Sequence, residues 1–373
     1  MGLLVGIGIF ILAAIAITYK ILLGYTGFSW PVKVLSFLFI LVLWFAPFLV
    51  RLGKRYALLD GYQYAICSKI GYTLAVFAVL LFVLLLARDI LWHITYFISS
   101  RNFYDPNNAH YINRANFVSI LIALGIVGYG VYQAYKVPNV NLVQSTDARI
   151  LKDTKIVVAS DFHIDQSTPV KQVQQIVDTI NAQNPDYILL LGDLVDDIPA
   201  NIEKQLNILS ELKAKKIFLS LGNHEFYHEP AKWMIAYTLM GFDVLHNNGE
   251  TVEDTGLFIT AFPDPSFARP NVERALNGAA ENSYKILMTH TPVPVRNLKG
   301  DEFDFIVAGH THGGQIYPFH YPVEAANGYL AGLYNLAGGK IYITRGAGFW
   351  GPPMRLLAPS DITVLELKAL KND

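Results

Sequence analysis

A chain of 373 residues that is 53% hydrophobic and only 16% charged is too apolar to be disordered, and a soluble domain would carry about a quarter charged residues. Residues 1–135 hold 9 Lys and Arg against 3 Asp and Glu, whereas residues 136–373 hold 20 against 27, so two different materials are joined near residue 140. The basic excess is confined to the apolar part, which leaves no footprint for nucleic acid, and a single cysteine, Cys67, excludes an intrachain disulfide framework and any multi-cysteine zinc site.

A bilayer core of about 30 Å requires roughly 20 helical residues. Four runs in the first part approach or reach that length: Leu3–Tyr19, extendable past Lys20 to Leu23, then Pro31–Val50, Gly71–Ala87 and Ala115–Tyr135. Tyr19, Trp30, Trp92, Tyr96 and Tyr135 fall at or near their ends, where amphipathic rings sit at headgroup level. The expectation is an all-α region of four transmembrane helices over residues 1–140. The first run lacks a basic leader and a small-residue cleavage site, so it reads as a retained span. No charge lies at mid-span, which argues against a transport path, and His93 and His110 read as interfacial. The expected role is anchoring or lipid access.

Four spans put both termini on one side. Arg51, Lys54, Arg55, Lys69, Lys136 and Arg149 lie on that side, against Lys20, Lys33, Arg88, Arg101 and Arg114 on the other. The margin slightly favours the cytoplasmic face for the C-terminal part. Val137–Ser145 (VPNVNLVQS), with its proline and short polar residues, reads as the linker to a second domain over residues 150–373.

From Lys155 short apolar runs each close on polar residues. Ile156–Ser160 leads into Asp161-Phe162-His163, Tyr187–Leu191 into Gly192-Asp193, and Ile217–Leu221 into Gly222-Asn223-His224-Glu225. Ile286–Thr289 leads into His290 and Phe305–Ala308 into Gly309-His310-Thr311-His312. Helical patterns separate the first three: Pro169–Ala182, with Thr168 as N-cap before a first-turn proline, and Ile202–Ala214, with Leu206, Leu209 and Leu212 on one face. Alternating strands and helices predict a largely parallel sheet that binds ligands beyond the carboxyl ends of its strands, so the five polar clusters converge.

Such a convergence offers oxygen and nitrogen donors without thiolate, a set suited to Mn²⁺, Fe, Zn²⁺ or similar ions, and too large for one ion. Asp161 and His163 are two residues apart, as are His310 and His312, so each pair faces one side of an extended strand end. A carboxylate such as Asp193, at the tip of a central strand, can bridge two metals about 3.5–4 Å apart, the spacing that holds a hydroxide for in-line attack on phosphorus. Gly192, Gly222 and Gly309 allow sharp turns where the donors project.

These five blocks, in this order over about Lys155–Leu367, resemble the calcineurin-like metallophosphoesterase family. Gly313-Gly314-Gln315-Ile316, and Arg345-Gly346 with Pro359 before the final strand, are similar to its bacterial membrane-associated branch, which includes UDP-2,3-diacylglucosamine hydrolase-like phosphoesterases. Residues 1–140 share with that branch only the habit of membrane attachment. The resemblance implies a C-terminal α/β metallophosphoesterase sandwich, two β-sheets flanked by helices. It implies two divalent metal ions, Mn²⁺ first, with Fe, Zn²⁺ or Mg²⁺ as other candidates: one held by Asp161, His163 and His312, another by Asn223, His290 and His310, with Asp193 bridging. His224 would be the general acid.

The implied activity is hydrolysis of a phosphoester or pyrophosphate bond at a bacterial inner or plasma membrane, in phospholipid metabolism or lipid A biosynthesis. Anchoring biases the substrate toward lipid-linked compounds such as UDP-2,3-diacylglucosamine, with soluble phosphoesters as the alternative. A catalytically inactive scaffold is disfavoured by the complete donor set. Arg345 and Arg355 flank a Gly/Pro-rich loop that can hold a substrate phosphate, and Arg345 is the substrate-binding candidate. Glu225 reads as a first-turn helix carboxylate, and His228, His246 and His320 belong to no block. Trp233, Met234, Tyr237 and Met240 form a stripe on a helix expected over Pro230–Met240, ordinarily core, and otherwise a wall for an acyl chain or a contact with the bilayer surface.

Overall fold

The computed structural model describes residues 2–24, 26–99 and 104–370. The chain divides into two compact units, residues 1–131 with 351–353, and residues 132–350 with 354–373. The first unit is helical: α1 (Gly2–Leu23), α2 (Trp30–Arg55), α3 (Gly61–Ile98) and α4 (Ala109–Ala134). Helices α2, α3 and α4 are long and apolar enough to cross a membrane. The fourth expected span falls on α1, whose described apolar part, Gly8–Leu23, is shorter than those three; the side chains of its first residues lie outside the described set.

Helix α3 runs for 38 residues where the apolar run alone suggests 17. Its start is fixed by a capping box, in which the Gln63 N–H donates to Asp60 Oδ1 at 2.7 Å and the Asp60 N–H donates to Gln63 Oε1 at 3.2 Å. Ile40, Leu43 and Trp44 of α2 pack with Ala14 and Ile15 of α1 and Ala78 and Phe82 of α3.

The second unit contains, in chain order, β1 (Asn139–Asp147), β2 (Thr154–Ala159), α5 (Val170–Asn181), β3 (Tyr187–Leu190), α6 (Glu203–Leu209), β4 (Lys216–Leu219), α7 (Asn223–Tyr227), α8 (Pro230–Leu239), β5 (Asp243–Val244), β6 (Asn248–Val252), β7 (Leu257–Ala261), α9 (Val272–Ala275), β8 (Tyr284–Thr289), β9 (Phe305–Ala308), α10 (His320–Asn327), β10 (Gly332–Asn335), β11 (Lys340–Ile343) and β12 (Asp361–Ala369). Two six-stranded sheets result, ordered β1-β12-β2-β3-β4-β5 and β10-β11-β9-β8-β7-β6. The parallel cores expected from the strand and helix alternation are β2 to β5 and β7, β8, β9 and β11. Both sheets are mixed, because β12 runs antiparallel to β2, β6 to β7 and β10 to β11.

Alternation along the strands places the core. Val158, Leu189 and Phe218 of the first sheet meet Ile259, Ile286 and Val307 of the second. Their neighbours Val157, Ile188 and Leu219 face outward onto Val173, Ile176 and Val177 of α5 and Leu209 of α6. Each such aliphatic side chain contributes roughly 1.5–3 kcal/mol on burial, which holds the strand ends in register.

Three expectations are corrected, and a fourth, the ordinary core reading of the stripe on α8, holds for two of its residues. The segment expected as a linker, 137–145, mostly forms β1, paired in parallel register with β12 from Asn139↔Asp361 to Asp147↔Ala369. Its polar residues suit an edge strand, and the inward-facing Val143 and Ser145 are buried. Thr168 does not cap α5; its hydroxyl donates to Asp165 Oδ1 and accepts from the Asp165 N–H, and Pro169 stands at the cap. The helix expected over 202–214 ends at Leu209, because the Lys213 N–H donates to Asn181 Oδ1 and Asn181 Nδ2 donates to the Glu211 carbonyl, tying the segment to the end of α5. In α8, Trp233 and Tyr237 have no exposed surface and belong to the core, so they form no wall for an acyl chain, while Met234 is 44% exposed.

Candidate metal centre

Five strand ends deliver the donors, and backbone bonds between the crossing loops hold them. The Asp161 N–H donates to the Gly192 carbonyl at 3.0 Å, the His163 N–H to Asp193 at 3.1 Å, and the Gly309 N–H to His290 at 2.8 Å. Asp161, His163, Asp193, His310 and His312 all have φ between 49° and 69°, the left-handed region that costs non-glycine residues energy and clusters at functional sites. Where the loops after β3 and β4 touch, only glycine fits: a Cβ on Gly192 would lie 2.2 Å from the Gly222 nitrogen, and one on Gly222 would lie 2.2 Å from Asp193 Oδ1.

The seven expected ligands come together as two adjoining groups. In one, His163 Nε2 lies 3.1 Å from His312 Nε2, which is 3.5 Å from Asp161 Oδ1. In the other, His290 Nε2 lies 3.1 Å from Asp193 Oδ2, 3.1 Å from His310 Nδ1 and 3.2 Å from Asn223 Oδ1. Asp193 Oδ2 is also 3.9 Å from His163 Nε2, so this carboxylate stands between the groups. Converging imidazole nitrogens and carboxylate oxygens at these separations fit divalent cations of the Mn²⁺, Fe or Zn²⁺ kind. His224 Nε2 stands 3.9 Å from Asp193 Oδ2, at the edge of the same centre.

The electrostatics are those of many donors sharing few protons. Burial disfavours charge on His290 and His163, but Asp193 raises His290 to about 10, and Asp196 with Asp193 raises His163 to about 9. Burial, reinforced by charged His290 and His163 respectively, pushes His310 down and His312 well down. Burial opposes charge on Asp193 as well, yet His290, His163 and His224 hold its carboxyl well below the usual range. Cation binding displaces such protons from its ligands.

Three further residues organise the centre. Asp196 Oδ1 lies 3.0 Å from His163 Nδ1 and 2.5 Å from His224 Nδ1, and these two histidines outweigh burial to hold its carboxyl far below the usual range. Asp196 is not among the donors expected from the sequence; the available signal is its position three residues after Asp193, past an apolar pair on the same strand-end loop. Glu225, fully buried, accepts from the N–H groups of Asp193, Leu194 and Gly222 at 2.7–2.9 Å and from the Tyr237 hydroxyl at 3.2 Å. Burial and Asp193 push it up to about 7. It clamps the loop after β3 to the start of α7. Arg355, 1% exposed, donates to the carbonyls of His312, Arg345, Gly346, Gly348 and Ala358, fixing the loop before β12 against the His310–His312 turn.

Arg345, the expected substrate-binding residue, is outside both donor groups. Its Nη1 lies 3.3 Å from Asp361 Oδ2, and it lines a cavity of about 190 Å³ with Gly313, Tyr317 and His320.

The calcineurin-like phosphoesterase family model matches residues 154–314. An uncharacterized metallophosphoesterase of Campylobacter jejuni is 31% identical over 374 residues, covering 97% of each chain, so that similarity extends through the helical unit. One of Helicobacter pylori strain J99 is 35% identical over 267 residues, 68% of this chain and 70% of that one. A Danio rerio protein named transmembrane protein with metallophosphoesterase domain is 26% identical over 278 residues, 68% of this chain and 63% of its own length.

Proposed function

The chain belongs to the calcineurin-like metallophosphoesterase family, and from that premise we propose a membrane-anchored hydrolase that uses two divalent ions to cleave a phosphoester or pyrophosphate bond in a lipid-linked substrate. The observation that carries this reading is Asp193 Oδ2, shared between the two donor groups at 3.1 Å from His290 Nε2 and 3.9 Å from His163 Nε2.

Asp161, His163 and His312 would hold one ion and Asn223, His290 and His310 the other, with Asp193 available to both donor groups. When bound, such ions polarise the phosphoryl group and lower the pKa of a nucleophilic water; Mn²⁺ is the first candidate. His224 acts as general acid. His224 Nδ1–H donates to Asp196, which turns Nε2 toward the centre, and it is the imidazolium form that gives its Nε2 proton to the leaving oxygen. Arg345, beside Gly313, binds substrate phosphate. Asp196 fixes the ring planes of His163 and His224, and Glu225 and Arg355 hold the loops on which the donors ride.

Three membrane-length helices favour a substrate that partitions into the bilayer, of the type of UDP-2,3-diacylglucosamine, and the lysine and arginine balance favours the cytoplasmic face. The test is phosphate release by full-length protein in detergent against lipid-linked and soluble phosphoesters, with each divalent metal in turn. Metal-dependent release, fastest on the lipid-linked substrates, is expected. Release confined to soluble esters would replace the lipid reading, and no release with any metal would end the hydrolase reading.

A further inference from the structure

The charge-free stretch of α3 ends at Arg88 and that of α4 begins after Arg114. The chain passes from α3 to α4 at that end of each helix, and Arg88 reaches Asn116 of α4, so both arginines stand at one hydrocarbon boundary. From Ala115 to Ala134 the helix rises about 30 Å, one bilayer core. Arg88 and Arg114 line one cavity of about 520 Å³.

The cavity has the chemistry of an amphiphile site. Leu84, Val118 and Ile122 supply an apolar wall, and Trp92 and Tyr111 line it as well, aromatic residues of the kind that settle at headgroup level. Arg88 is held in place rather than satisfied. Its Nη1 donates to Asn116 Oδ1 at 2.9 Å, Asn116 Nδ2 in turn donates to the Ile21 and Leu22 carbonyls, and Asp89 Oδ1 stands off at 3.7 Å. Its Nε is buried with no hydrogen-bond partner among the described residues.

We propose that this cavity between α3 and α4 binds the phosphate headgroup of an anionic phospholipid, with Arg88 and Arg114 on the phosphate and an acyl chain along Leu84, Val118 and Ile122. Two guanidinium groups at a hydrocarbon boundary are a favourable arrangement for such a headgroup. The site is separate from the metal centre and does not depend on hydrolysis.

The experiment is native mass spectrometry of the full-length protein released from micelles doped with phosphatidylglycerol or phosphatidylcholine, with inorganic phosphate as a competitor. Wild type is expected to retain phosphatidylglycerol over phosphatidylcholine. Arg114→Gln, at an exposed position, should lower that retention roughly tenfold with the helices intact, as loss of a charge-assisted hydrogen bond does; Arg88→Gln should do so too. Inorganic phosphate should not displace the lipid. Equal retention of the two lipids, or retention unchanged in Arg114→Gln, overturns the proposal, and displacement by inorganic phosphate alone would mark a small-anion site instead.

Discussion

His224 Nδ1 lies 2.5 Å from Asp196 Oδ1, and the same oxygen is 3.0 Å from His163 Nδ1. One carboxylate therefore fixes the ring orientation of a residue proposed to hold metal and of a residue proposed to donate a proton. Such outer partners set tautomer and aim, and their loss typically costs 10–100-fold in metal affinity or activity.

Asp196→Asn keeps the shape and removes the charge. Both bound metal and kcat/KM are expected to fall by about 10–100-fold, measured by elemental analysis after dialysis and by phosphate release. Wild-type values for both would show that Asp196 orients nothing of consequence.

Replacing His224 separates acid catalysis from metal binding. His224→Ala should keep its metal yet lose roughly 10²–10⁴-fold on an alkyl ester, whose leaving oxygen needs a proton. On an aryl ester with an acidic leaving group the loss should be much smaller. Equal losses on the two esters would place His224 among the positioning residues.

The donor blocks are legible in the sequence because each follows a short buried strand, and parallel strands bring their carboxyl ends to one edge. Asp196 is harder to see, since an aspartate past a strand end more often closes a turn, and its value comes from two histidines supplied by other loops. Strand β1 is hidden for a different reason: an edge strand needs only one buried face, so its Asn, Gln and Ser residues read as connection. Arg355 is legible only as one flank of a Gly/Pro-rich loop suited to phosphate; its buried guanidinium instead holds that loop's carbonyl groups, along a path set by tertiary contacts.

Glu225 makes a stability prediction. Glu225→Ala leaves the N–H groups of Asp193, Leu194 and Gly222 without their buried acceptor, a loss of roughly 3 kcal/mol. For a unit of this size that is about 6–12 °C in Tm, read by thermal unfolding of the phosphoesterase unit. An unchanged Tm would mean that water replaces the carboxylate at no cost.

Strand β1 sets where a soluble fragment can begin. A fragment from Tyr132 includes β1 and has ample core to fold alone, while one from Ala148 exposes the edge of β12 along its whole register. The longer fragment should be monomeric by gel filtration and the shorter one less stable and prone to associate. Indistinguishable fragments would show that β1 adds nothing to the sheet.

The most direct test of the central claim is metal stoichiometry and hydrolysis on one preparation of full-length protein, wild type beside Asp193→Asn and Asn223→Ala. The proposed arrangement requires two divalent ions per wild-type chain with metal-dependent phosphate release. Asp193→Asn should lose more metal and more activity than Asn223→Ala, since Asp193 stands between both donor groups and Asn223 in one. Two ions and an undiminished rate in Asp193→Asn would contradict the bridging role, and with it the dinuclear account.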